Sequence, residues 1–214
     1  MEFRKNKIDW SLYVVTDRGL MSSATIEESV ERSIDGGCGV VQLREKEISS
    51  LEFFRLAERV KTICDHRRVP LIINDRVDVA LAVDAAGVHV GQSDLPAAVV
   101  RKLIGPDKLL GVSATTLDEA LQAEKDGADC LGVGAMFATG TKTDADIVTI
   151  DELRKIRAAV SIPIVVIGGI NEQTVPLFKG TGIDGLAVVS AVISQSDVTA
   201  AAQKIKSLFQ RIAG

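Results

Sequence analysis

Gln42, Arg44 and Lys46 alternate within Val41-Gln42-Leu43-Arg44-Glu45-Lys46, and alternation along an extended chain puts their side chains on one face. An amide and two cations gathered there suit a single, strongly anionic group. Arg44 offers a planar fork that matches phosphate oxygens, whereas Lys46 acts as a movable point charge. The same residues also fit a solvated strand end on which Glu45 and Glu47 neutralise the cations.

Asp75 and Asp94 each follow a short apolar run and offer hard oxygen ligands. Magnesium typically takes one or two carboxylates and completes its shell with water and substrate phosphates. Equally, Asp94 precedes Leu95-Pro96 and fits a helix cap, and Asp75 fits a pair with Arg76. Gly168-Gly169, followed by a helical segment, and Ser190, opening another, suit a second phosphate: glycine lets oxygens approach backbone N–H groups, and a helix start favours negative charge. A tight turn and an ordinary cap are the alternatives. Thr139-Gly140-Thr141-Lys142 brings two hydroxyls and an ammonium, either to close over a phosphate or to form a polar turn.

His66, in Asp65-His66-Arg67-Arg68, reads as solvated at a helix end, and His89, inside an apolar run, as an interior histidine. With two histidines and no Cys/His constellation, zinc or triad chemistry is not indicated. Cys38, Cys64 and Cys130 are odd in number and widely spaced, which suits small buried side chains in a reducing compartment.

Residues so far apart in the chain need a scaffold that gathers strand ends. Apolar runs at residues 12–16, 39–44, 70–74, 87–90, 109–113, 129–134, 163–168 and 184–190 are candidate strands without polar alternation, as expected where both faces are covered. Helical spacing lies between them, as in Ile26/Val30/Ile34, Phe53/Phe54/Ala57/Val60 and Val198/Ala201/Ile205/Leu208. The repeat of about 25 residues is the size of a βα unit. Small residues such as Asp35-Gly36-Gly37, Asp126-Gly127-Ala128 and Thr181-Gly182-Ile183 recur before strands. A single-domain (β/α)8 TIM barrel over residues 1–214 fits best, with an open doubly wound sheet as the fallback. In such a barrel the strand exits carry the chemistry, and Thr16-Asp17-Arg18, Asn74-Asp75, Gln92-Ser93-Asp94, Ser113 and Ser190 all fall at exits.

The 214 residues carry 25 Lys and Arg against 29 Asp and Glu, a net charge of −4, so no global field attracts nucleic acid or an anionic membrane. At 46% hydrophobic and 4% aromatic residues the core must be aliphatic. No apolar run approaches the roughly 18 residues needed to cross a bilayer, and the charged start has no apolar region behind it. The reading is therefore cytoplasmic, with small-molecule partners, no nucleic acid and no membrane; a homo-oligomer is compatible with it.

The ordered set Leu12-Tyr13-Val14-Val15-Thr16-Asp17, Val41-Gln42-Leu43-Arg44-Glu45-Lys46, Ile73-Asn74-Asp75-Arg76, Gly87-Val88-His89-Val90-Gly91-Gln92-Ser93-Asp94, Gly111-Val112-Ser113, Thr139-Gly140-Thr141-Lys142, Ile167-Gly168-Gly169 and Val188-Val189-Ser190 resembles the thiamine-phosphate synthase family from about residue 12 to 195. The resemblance implies a magnesium-dependent transferase that joins 4-amino-2-methyl-5-pyrimidinylmethyl diphosphate to 4-methyl-5-(2-phosphooxyethyl)thiazole. It implies that Gln42, Arg44, Lys46, Asn74, Ser113 and Lys142 hold the pyrimidine diphosphate, with Arg44, Lys46, Ser113 and Lys142 acting on its departure. It further implies Asp75 and Asp94 as magnesium ligands, and Thr139, Thr141, Gly169, Val189 and Ser190 as the thiazole phosphate site. Ala135 and Ala138 stand where the family usually has proline, and Thr115 where it often has histidine. The rival readings are a thiazole-phosphate isomerase on the same barrel, which needs no diphosphate clamp, and a non-catalytic phosphate-ligand sensor, which binds without turnover.

Overall fold

Each strand is a run of three to six mostly apolar or small residues, with Gln42, Asn74 and His89 as the larger polar exceptions, and alternate positions face the barrel interior or the helices outside. In the computed structural model, which describes residues 7–138 and 147–213, the strands are β1 (Leu12–Val15), β2 (Val40–Leu43), β3 (Leu71–Asn74), β4 (Gly87–Val90), β5 (Leu109–Ala114), β6 (Cys130–Val133), β7 (Ile164–Val166) and β8 (Gly185–Val188). They close into a barrel in chain order, every neighbouring pair parallel. The (β/α)8 expectation is met, although most strands stop one or two residues inside the expected ranges.

The helices are α1 (Ile26–Asp35), α2 (Ser50–Arg67), α3 (Val77–Ala82), α4 (Ala97–Ile104), α5 (Leu117–Lys125), α6 (Ile150–Ala159), α7 (Ser190–Ile193) and α8 (Val198–Ile212). Side-chain caps start many of them: Thr25, Ser49, Thr116, Thr149 and Asp197 each accept from a backbone N–H of the first turn. Ser49 with Glu52, and Thr116 with Glu119, form full capping boxes. The inner stripe of α8 is Val198, Ala202, Ile205 and Phe209, one position later than the spacing suggested at two of its four places. Among the described residues, no helix is long and apolar enough to cross a membrane.

Two cores result. Tyr13, Val15, Val40, Ile72, Leu109, Cys130, Val165 and Ala187 fill the barrel, and a larger aliphatic layer lies between strands and helices. The three cysteines are buried and free, and burial pushes the Cys38 thiol up to about 12.

At the strand entrances one clamp is built twice. Arg101 of α4 donates to Gly105 O, Lys108 O and Gly127 O and pairs with Asp129, whose carboxylate also accepts from Leu110 N. Arg157 of α6 repeats this with Val160 O and Asp184, whose carboxylate accepts from Ile164 N. Gly127 (φ 91°) and Gly182 (φ 75°) lie against the stems of these arginines, so both the left-handed backbone and the close approach call for glycine.

One expected element is absent. After Gly168-Gly169 the chain forms no α-helix but a 3-10 turn, Val175–Phe178. The cause is local: the Asn171 side-chain Oδ1 accepts from the backbone N–H groups of Gln173 and Thr174, and Thr174 Oγ1 accepts from Asn171 N. These side chains take the N–H groups a helix would need, and Pro176 removes another.

Candidate active site

The exit of β2 departs from simple alternation, because the strand ends at Leu43. Gln42 still points into the barrel, where it is 5% exposed and its Nε2 donates to the Tyr13 hydroxyl at 2.7 Å. Burial raises the Tyr13 pKa, so that hydroxyl keeps its proton. Beyond the strand the two cations part. Arg44 turns toward β1, its backbone N donating to Thr16 Oγ1 at 3.0 Å and its Nη1 to Asp17 Oδ2 at 3.0 Å. Lys46 turns toward β3, and its Nζ pairs with Asp75 Oδ2 at 2.5 Å. Glu45, one expected partner for these cations, pairs instead with Arg18.

Asp75 leaves β3 with φ 61°, and its N donates to His89 O at 2.8 Å, so the left-handed turn is pinned to β4. It makes no pair with Arg76, which binds Asp78 and Ser50. Asp94 does not cap α4 either: its Oδ2 accepts from Gly91 N at 2.8 Å, closing the β4 exit loop. Burial raises the Asp94 carboxyl above its ordinary value, and the nearby Asp75 carboxylate adds to the rise against the Gly91 N–H and Lys46. Two carboxylates and a lysine therefore share one small region on the exits of β2, β3 and β4.

Deeper in the mouth, Asn74 stands in register with His89 and is nearly buried. His89 Nε2 and Ser113 Oγ form a hydrogen bond of 2.9 Å, and Gln92 Nε2 donates to Ser113 O at 2.6 Å. His89 is thus an interior residue, as its place in the strand suggests, and His66 is exposed at the end of α2.

Across the mouth, Gly168 (φ 93°) and Gly169 (φ 66°) pack against Ala135 and Phe137, where a Cβ on either glycine would come within 2.6 Å. Val189 is the cap position of α7 and Ser190 its exposed first residue, so Ser190 is not the cap. Thr115 is tied to Glu119 by its N and Oγ1, at 2.7 and 2.8 Å. Thr139, Thr141 and Lys142 lie outside the described residues.

Among the described residues no three His, Cys, Asp or Glu side chains gather as a metal site. Asp75 and Asp94 are two carboxylates whose mutual repulsion a divalent cation relieves, and two protein ligands are enough for magnesium when phosphates supply others. The donor set fits that ion.

Two pairings at this site are not legible in the sequence alone: Asp17 with Arg44, and Tyr13 with Gln42. Asp17 and Tyr13 both stand in the motif at β1, and their partners are 27 and 29 residues away. Nothing local distinguishes Asp17 from Glu45 or Glu47 as the carboxylate that Arg44 would choose.

A family model described as thiamine monophosphate synthase matches residues 12–192. The thiamine-phosphate synthase of Clostridium beijerinckii is 65% identical over 208 residues, covering 97% of this chain and all of that protein. That of Ruminiclostridium cellulolyticum is 60% identical, covering 96% of this chain and 98% of its own. Among solved structures, the thiamine phosphate pyrophosphorylase of Pyrococcus furiosus superposes with a TM-score of 0.88 at 39% identity, covering 98% of this chain and 99% of that one. A 3-hexulose-6-phosphate synthase, at 19% identity and a TM-score of 0.70 over 92% of this chain and 99% of its own, shares the fold alone.

Proposed function

From the premise that the chain belongs to the thiamine monophosphate synthase family, we propose that it joins 4-amino-2-methyl-5-pyrimidinylmethyl diphosphate to 4-methyl-5-(2-phosphooxyethyl)thiazole, giving thiamine monophosphate and diphosphate. The observation that carries this reading is the cluster at the β2, β3 and β4 exits, where Lys46 meets Asp75 at 2.5 Å beside Asp94. Cations and carboxylates mixed in this way suit a diphosphate that arrives with a divalent metal.

In this reading Gln42, Arg44, Lys46, Asn74, Ser113 and Lys142 bind the pyrimidine diphosphate. Thr139, Thr141, Gly169, Val189 and Ser190 bind the thiazole phosphate, and Asp75 and Asp94 would hold Mg2+. Magnesium, when bound, neutralises charge that builds on the departing diphosphate. Arg44, Lys46 and Lys142 act in the same direction, and more strongly at the transition state than before it, since the leaving group gains negative charge as its C–O bond breaks. The thiazole nitrogen then captures the pyrimidine-methyl cation. That bond forms without loss of a proton, so no general base is required. The barrel mouth keeps both partners in contact and limits capture by water.

The test mixes purified protein with both substrates, with and without magnesium, and follows thiamine monophosphate as its fluorescent thiochrome derivative. Magnesium-dependent product is expected. Absence of product under both conditions, with thiazole phosphate still bound, would overturn the synthase reading.

A further inference from the structure

The His89 ring sits in a recess made by two glycines. A Cβ on Gly111 of β5 would lie 2.4 Å from its Nδ1, and one on Gly132 of β6 would lie 3.0 Å from its Cε1. Neither glycine has the positive φ that would otherwise explain it, so both positions are empty for the sake of the imidazole. Close packing fixes the ring, and its Nε2 meets Ser113 Oγ at 2.9 Å. The carbonyl of Ser113 is held separately by Gln92.

A serine hydroxyl has one proton and two lone pairs. The direction of its bond with His89 therefore decides what Ser113 presents to the barrel mouth. If imidazole accepts, only lone pairs remain; if imidazole donates, the hydroxyl proton is turned outward. The barrel mouth carries Arg44 on its β1 side and Lys46 on its β3 side, two cations that suit anionic oxygen, which needs donors.

We propose that His89 is a positioning residue that donates its Nε2–H to Ser113 Oγ and so directs the Ser113 proton at a diphosphate oxygen. The inference deepens the reading given above and rests on the site being one for a diphosphate.

The first test is direct. Proton–nitrogen spectra of the histidine side chains report which ring nitrogen carries the proton, and the His66→Gln variant identifies the signals of His89. A proton on Nε2 is expected, and a ring protonated at Nδ1 alone overturns the proposal.

The second test measures binding of inorganic diphosphate with magnesium by calorimetry. His89→Phe fills the recess without a donor and should weaken binding about tenfold, the scale of one hydrogen bond. His89→Gln, whose amide reaches the same place, should restore most of it. In a Ser113→Ala background His89→Phe should have no further effect; an equal loss in both backgrounds, or no binding by the wild type, overturns the proposal. With both substrates, His89→Phe should raise the KM for the pyrimidine diphosphate and leave that for the thiazole phosphate unchanged. A wild type that binds diphosphate with the expected coupling but makes no thiamine monophosphate would remove the synthase reading and leave this inference standing.

Discussion

Lys46, past the end of β2, and Asp75, at the exit of β3, form an ion pair of 2.5 Å across 29 residues of chain. Each partner is thereby held at the barrel mouth by the other. Removing Asp75 frees the lysine and deletes a carboxylate from the proposed metal site. Asp75→Ala should lower turnover by about 10²-fold or more, the scale for one preorganised charge-stabilising group. Lys142→Ala should do the same. Steady-state rates at saturating substrates check both, and near-normal turnover in the two variants would remove these assignments.

Ser190 is exposed at the first position of α7 and does not cap it. Its loss should leave the fold intact. Ser190→Ala should raise the KM for thiazole phosphate while kcat changes little. A large fall in turnover at saturating thiazole phosphate would contradict that role.

Asp94 titrates above its ordinary 3.8, chiefly through burial and then through Asp75. The folded chain holds this proton more tightly than the unfolded one, so the associated stability is complete below pH 3.8 and is lost as pH rises through the raised value. Asp94→Asn keeps an oxygen for Gly91 N–H and carries no charge. Without magnesium it should melt above the wild type at neutral pH, with the gap closing toward pH 3.8. Magnesium should then raise the wild-type Tm more than that of the variant. Identical melting curves across this range would show that the two carboxylates do not oppose each other.

Arg101 bridges α4, the loop before β5 and the loop before β6, far from the barrel mouth. Arg101→Ala leaves several half-buried carbonyls and Asp129 short of a donor. Its stability should fall by about 2–3 kcal/mol, read from urea unfolding, with both KM values unchanged. A shift in either KM would mean that the clamp reaches the active site.

Much of this architecture was legible in local pattern. Continuous apolar runs about 25 residues apart imply strands covered on both faces, and the closed barrel bears this out. Once the barrel is assumed, polar residues at strand exits select themselves, and Asp75, Asp94, Ser113 and Ser190 stand out by position as well as by family resemblance. Hydrophobic periodicity is a local property, so a chain read by itself displays it.

Which interior side chains meet is not local. Tyr13 finds Gln42, Asp17 finds Arg44 and His89 finds Ser113 across 24 to 29 residues, because each pair occupies neighbouring strands or their exits. The register between strands brings these partners together, and it depends on every strand closing the barrel together. Gly111 and Gly132 read as ordinary strand glycines until the imidazole between them is seen. The turn after β7 likewise went against helical expectation, since Asn171 and Thr174 satisfy their own backbone. The sequence by itself determined the strands, most of the helices, their order and the chemical types at the strand ends. Closure of the barrel decided the partners, because hydrogen bonds and ion pairs select by distance in space and not by separation along the chain.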